Sequence, residues 1–290
     1  MPAYELGIFA KTFPREPLEA NLDAVARHGL GVVQYNMACA GLPSLPERVE
    51  PELARRIAAA TAQRGIRVAA VSGTFNMIHP DHKTRRAGFR SLRVLAEACA
   101  TIGTRTITLC TGTRDRHDMW RGHPDNRQPQ AWADMLRSME RAVGIAEDFG
   151  VYLGIEPETA NVVDSASRAL LLVREMRSPN LKIVLDPANL FSMDNLARQH
   201  AVLDEAFDLL GPHLIMAHAK DVRVVDGEIH HVAAGTGLLD YPHYLALLRD
   251  VPVPLVVHGL SEAEVPWSLA FLRATGALVR RQARRAATAG

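Results

Sequence analysis

Residues 151–161 read VYLGIEPETAN, and the rest of the chain can be ordered around them. The apolar run VYLGI has strand character and ends on a carboxylate, Glu156. Pro157 follows, cannot donate to a strand ladder and ends the run. A second acid, Glu158, stands one residue further on. Three later segments have the same build: KIVLDPAN ends its run on Asp186, LIMAHAKD on His218 and PLVVHG on His258. Each is a stretch of β-formers that stops at a side chain able to bind a metal ion. Successive positions 156, 186, 218 and 258 lie 30, 32 and 40 residues apart. That is the pitch of one strand plus one returning helix.

Towards the N-terminus, the pattern predicts strands at 4–10, 32–35, 67–72 and 106–111. Helices are predicted at 17–28, 51–64, 81–102 and 130–149, each closed by a glycine: 29, 65, 103 and 150. Towards the C-terminus, strands are predicted at 182–185, 214–217 and 255–257, with helices at 165–177, 195–210, 240–249 and 262–275. Loops fall at 40–46, 73–80 and 112–129, and an excursion at 221–237 carries an Asp226-Gly227 turn. Eight strands alternating with eight helices imply a parallel sheet. Eight repeats imply closure as a single (β/α)8 TIM barrel, over residues 1–278, in the α/β class. The basic stretch 279–290 is expected to be a frayed tail. The competing architecture, an open doubly wound sheet, calls for a glycine-rich phosphate turn after an early strand. Neither GxGxxG nor GxxxxGK[ST] occurs.

Composition narrows the function classes. With 290 residues, 48% hydrophobic, the chain can bury a sizeable core. A net charge of +1, with 22% charged residues, offers no electrostatic basis for nucleic acid or an anionic membrane. No apolar run approaches the ~20 residues of a membrane helix. The N-terminus lacks the basic-then-apolar pattern of a signal peptide. Three cysteines, Cys39, Cys99 and Cys110, form no CxxC pair, which suits a reducing cytoplasm. A cytoplasmic location is therefore expected, and homo-oligomerisation is left open.

In a barrel of this kind the C-terminal strand ends line one mouth, where chemistry sits. Side chains alternate along a strand. If Glu156 and His218 point inward, Glu158 and Lys220 stand one layer higher on the same wall. Glu156, Asp186, His218 and His258 then converge on one divalent cation. Two carboxylates and two imidazoles suit Mn, Co, Fe, Ni or Zn better than Mg, with Mn foremost. Each ligand alone has a plainer reading. An acid before proline can cap a loop, and a lone histidine is more often satisfied in a core. Their joint placement carries the assignment. Lys220 is a candidate for stabilising an enolate oxygen, its alternative being a salt bridge with Asp221. Asn76, His79, Arg114, Trp120, Asn189 and Arg223 are candidates for contacting substrate. Trp120 would stack on a sugar face, and the arginines would receive a phosphate or carboxylate. Ser261 and Glu264 read as a capping box for the last helix.

These residues resemble the xylose-isomerase-like TIM-barrel superfamily, on the phrases SGTFNMIHPD, ITLCTGTRD, IEPETANVVDSA, KIVLDPANLF, AHAKD and GLSEAEV. The likeness covers nearly the whole chain. In sugar epimerases of that superfamily a Glu, an Asp, a His and a second Glu hold one divalent metal. Glu156, Asp186 and His218 match the first three, and His258 stands where those enzymes carry Glu. Asn189 stands where many relatives have His. The resemblance implies a metal-dependent isomerase or epimerase acting on a sugar or sugar derivative through an enediolate. The familiar epimerases use both metal-bound glutamates as bases. With His258 replacing one of them, a two-base scheme loses a member, which favours 1,2-isomerisation or elimination. Glu156 remains as a base and Glu158 is the candidate second. The alternatives are a lyase or dehydratase acting by β-elimination, and a non-catalytic barrel subunit. An endonuclease IV-type activity needs further mouth histidines and a basic face, and is disfavoured.

Overall fold

The structure is a computed structural model that describes residues 4–289. Its strands fall on the β-branched runs. They are Leu6–Phe9 (β1), Val32–Tyr35 (β2), Arg67–Ser72 (β3), Thr106–Cys110 (β4), Tyr152–Glu156 (β5), Leu181–Leu185 (β6), Leu214–Ala219 (β7), Asp221–Val225 (β8), Glu228–Val232 (β9) and Leu255–Val257 (β10). The helices are Leu18–Arg27 (α1), Pro51–Gln63 (α2), His82–Ile102 (α3), Pro129–Phe149 (α4), Ala166–Met176 (α5), Gln199–Leu210 (α6), Tyr241–Leu248 (α7) and Val265–Ala289 (α8). Eight strands close a parallel barrel in the order β1-β10-β7-β6-β5-β4-β3-β2, and each is followed by a helix, as the sequence predicts. No helix among the described residues is long and apolar enough to cross a membrane.

Period-two alternation sorts the barrel strands into two layers. Outward residues such as Ile107, Leu153, Ile183 and Leu255 join the main core beneath the helices. A smaller cluster of Ala70, Val184, Met216 and Val256 fills the barrel interior. Gly154 of β5 belongs to this crowded centre. A Cβ there would stand 2.7 Å from Val184 Cγ2, so the opening stretch carries glycine where its backbone meets β6. Two residues beyond Gly154, Val184, Met216 and Val256 come Glu156, Asp186, His218 and His258. The same alternation thus directs all four towards one end of the barrel.

Three departures from the sequence expectation stand out. The excursion after β7 is an antiparallel hairpin, β8–β9, with Asp226 (φ 52°) and Gly227 (φ 79°) at its tip. Both left-handed angles match a two-residue hairpin turn. Residues 196–198 form a separate 3₁₀ turn ahead of α6. Finally, the stretch set apart as a frayed tail is helical as far as Ala289, continuous with α8. Its alanines and arginines are strong helix formers, so the helix has no local reason to stop at residue 278. At the head of this element the predicted capping box is present, with the Ser261 backbone N–H donating to Glu264 Oε2 at 2.8 Å.

Candidate metal centre and barrel mouth

The ends of β5, β6 and β7 bring Glu156, Asp186 and His218 together, one donor atom of each within 4.8 Å of the others. His218 Nδ1 lies 3.3 Å from Glu156 Oε1 and 3.6 Å from Asp186 Oδ2. Asp186 and His218 are both 0% exposed. Lys220 Nζ stands 3.0 Å from Asp186 Oδ2 and donates to Asn189 Oδ1 at 2.6 Å. Asn189 in turn donates to Glu156 Oε1 at 2.6 Å. Asn189 thus bridges the ammonium and the carboxylate at the site floor. Asp221 takes no part in this. Its carboxylate accepts the backbone N–H groups of Val222, Gly235, Gly237 and Leu239, which folds the loop behind the β8–β9 hairpin.

His258, on the segment after β10, lies beside the cluster. Its ring is 5.0 Å from that of His218, edge to face, and 5.4 Å from that of Phe9. Its Nδ1 is buried with no hydrogen-bond partner, whereas Asp186 Oδ2 has the Lys220 ammonium 3.0 Å away. Buried polar atoms without partners are uncommon. Here one unpartnered imidazole nitrogen lies on a ring beside the Glu156–Asp186–His218 group, and two carboxylates and an imidazole form a donor set that a divalent cation fits. The charges agree. Burial would raise the Glu156 and Asp186 carboxyls, but His218 and Lys220 hold both below the usual range. Burial would lower His218, yet Glu156 and Asp186 bring it up to about 9. Burial, with the positive charges of His218 and Lys220, pushes His258 down to about 4 and leaves it neutral.

Glu158 stands higher, on a loop that is tightly tied. Its N–H donates to Val163 O at 3.0 Å and its carbonyl accepts the Asn161 N–H at 2.8 Å. Asn161 Oδ1 accepts the N–H of Gly112, and Val162 N–H donates to Gly112 O at 3.0 Å, so the β5 loop is stitched to the β4 loop. Burial, then the charge of Glu156, pushes the Glu158 carboxyl up to about 8. Two neighbouring carboxyls therefore differ widely in proton affinity, the pattern that separates acid and base roles.

A cavity of about 590 Å³ opens above these groups, lined by Glu156, Glu158, Asn189, Lys220, His258 and Trp120 among others. Trp120 is 56% exposed. The other residues named from sequence as substrate contacts lie elsewhere. Asn76 is buried, and its side chain donates to Thr113 O and accepts the N–H groups of Thr113 and Ile78. His79 is held between the Arg116 carbonyl and the Asp81 N–H and lines a neighbouring cavity. Arg114 pairs with Asp134 at 2.6 Å, and Arg223 donates to the Thr236 carbonyl. Sequence reasoning passed over Gln34, Thr108, Lys11 and His231, which do line the mouth. Gln34 was findable as the one polar residue in the strand VVQY. Thr108 read as an ordinary β-former, and His231 lies on a strand the reading did not anticipate.

Comparison with known proteins agrees with the fold. The family described as xylose isomerase-like TIM barrel matches residues 22–275. No curated protein matches the chain by sequence. Among solved structures, a 3-keto-D-glucoside 4-epimerase from E. coli is 18% identical, with a TM-score of 0.70, covering 93% of this chain and 99% of that one. An L-ribulose 3-epimerase is 15% identical, with a TM-score of 0.75 and 98% of both chains covered. A probable 3-DHS dehydratase from Bacillus anthracis, AsbF, is 14% identical, with a TM-score of 0.72, covering 93% of this chain and 98% of that one. At such identities these likenesses speak for the fold alone.

Proposed function

The chain belongs to the xylose isomerase-like TIM-barrel family, and on that premise we propose that it is a divalent-metal-dependent isomerase or epimerase of a sugar or sugar derivative. The observation that carries this reading is the Glu156–Asp186–His218 cluster, with Asp186 and His218 fully buried and Glu156 opening on the mouth cavity. Glu156, Asp186, His218 and His258 would hold the cation, with manganese the first ion to try. When bound, the metal supplies a Lewis acid that makes the hydrogen next to a substrate carbonyl more acidic.

The side chains around it supply the proton chemistry. Glu156, held ionised by His218 and Lys220, is the base for a carbon-bound hydrogen. Glu158, whose carboxyl is pushed up by burial and by the charge of Glu156, is placed to exchange a proton with a substrate oxygen. Lys220, buried and cationic beside Asn189, is placed to stabilise negative charge developing on an oxygen. Trp120 offers an exposed aromatic face at the rim for a sugar ring.

A second reading, elimination, is favoured by Glu158 specifically. A protonated carboxyl above a base suits departure of a β-hydroxyl as water. One experiment separates these readings. The protein is loaded with Mn²⁺ in deuterated water and offered ketoses, inososes and oxidised glycosides. Deuterium entering at the carbon next to the carbonyl, with the carbon skeleton intact, supports isomerisation or epimerisation. Loss of water or of an aglycone supports elimination. Absence of both, across all substrates and with Co²⁺ or Zn²⁺ in place of Mn²⁺, contradicts the proposal.

A further inference from the structure

His218 meets the cluster through Nδ1, and its other ring nitrogen is also engaged. Nε2 lies 2.8 Å from Gln34 Oε1. The Gln34 amide continues across the barrel, with its Nε2 donating to Thr108 Oγ1 at 3.0 Å. The three residues belong to β7, β2 and β4, strands that are not neighbours in the barrel. All three are buried, with exposures of 0%, 4% and 2%. The ring's own strand is tied from behind by Tyr244, whose hydroxyl donates to the His218 carbonyl at 2.9 Å.

To bind a cation His218 must give up one ring proton, leaving one N–H and one lone pair, and the partner at one nitrogen decides which is which. Two carboxylates lie on the Nδ1 side. Left alone, they would draw the single proton to Nδ1, and that tautomer turns a hydrogen towards the place a cation needs. An amide oxygen on the Nε2 side opposes them. It accepts a hydrogen bond only if Nε2 carries the proton, which frees the Nδ1 lone pair. The donation to Thr108 keeps the amide with its oxygen facing the histidine.

We propose that Gln34 is a positioning residue for metal binding: the Thr108–Gln34–His218 relay holds a proton on His218 Nε2 and so presents Nδ1 as the ligand. This rests on the metal-site reading above. Gln34 acts through His218 and needs no contact with substrate. Groups that orient a ligating histidine in this way typically alter metal affinity by about 10–100-fold when removed.

The test uses Zn²⁺, which is diamagnetic, on the full-length protein. Calorimetry gives affinity at fixed pH, and ¹⁵N NMR of the imidazoles identifies the ligating nitrogen. In the wild type, His218 is expected to bind through Nδ1 and to keep its Nε2 proton. Gln34→Met, of similar length but without an acceptor, is expected to weaken Zn²⁺ binding by roughly 10–100-fold. Gln34→Glu, which retains an acceptor oxygen, is expected to restore most of that affinity. Equal affinity in wild type and Gln34→Met, or ligation through Nε2 in the wild type, overturns the inference and leaves the metal site standing. A wild-type protein that binds neither Zn²⁺, Mn²⁺ nor Co²⁺ overturns the metal-site reading itself. Should Gln34→Met fail to fold, the wild-type nitrogen assignment still decides the matter.

Discussion

Glu156 meets three partners: His218 at 3.3 Å, Asn189 at 2.6 Å and, through charge, Lys220. If this ionised carboxylate is the proposed base, its replacement removes a defined step. Glu156→Gln keeps the volume and the hydrogen bond from Asn189 but cannot take up a proton. Turnover is expected to fall by at least about 100-fold, with circular dichroism unchanged. Activity retained within a few-fold would place the base elsewhere. His258 offers a different comparison. Its neutral ring and orphaned Nδ1 suit a borderline cation. His258→Glu adds a hard oxygen donor, so the preference among Mn²⁺, Mg²⁺ and Zn²⁺ should move towards the harder ions. An unchanged order of affinities would show that His258 does not touch the metal.

At the scale of elements, the loops after the strands place the chemistry, and their polar pins can be tested. Asp221 accepts four backbone N–H groups and holds the turn behind the β8–β9 hairpin. Asp221→Ala leaves those buried donors unpaired, and a loss of about 3 kcal/mol in unfolding free energy is expected from denaturant titration. A change below about 0.5 kcal/mol would show that the loop does not depend on this carboxylate. The barrel strands were legible in the sequence because their hydrophobic period and glycine stops are local signals. Glu156, Asp186 and His218 were legible for the same reason, since each ends a strand. The hairpin was not. Only its Asp226-Gly227 turn was read, because the alternation of Val222, Val224 and Ile229 with polar Arg223, Glu228 and His230 is short and half the residues face solvent. Asn76 and His79 show a related ambiguity, since both hydrogen-bond within neighbouring loops. A polar residue after a strand can serve the mouth or staple its own loop, and the choice depends on partners such as Thr113 and Arg116 that only the fold supplies.

Over the whole molecule, the outer helices are locked partly by buried charge, and that lock has a pH signature. Asp134 of α4 receives Arg114 at 2.6 Å and Arg85 of α3 at 3.3 Å. Burial would raise its carboxyl, but the hydrogen bond and charge of Arg114, with Arg85, hold it down at about 2. A folded pKa below the unfolded one stabilises the protein fully above pH about 4, and that stability is lost as pH falls through about 2. The contribution is about 2 kcal/mol. Asp134→Asn should therefore be less stable than the wild type by about that amount at pH 7, with the gap narrowing between pH 4 and 2. A gap that stays constant over that range would refute the linkage.

The same scale governs the candidate centre, because Glu156, Asp186 and His218 come from three strands and meet only when the barrel closes. The most direct check is metal stoichiometry. Protein purified without chelator, and again after dialysis against Mn²⁺, is analysed for bound metal beside the Asp186→Ala variant. One divalent ion per wild-type chain, and none in the variant with its fold intact, is expected. A folded wild-type protein that takes up no Mn²⁺, Co²⁺ or Zn²⁺, or a variant that binds as well as the wild type, would contradict a metal centre at this barrel mouth.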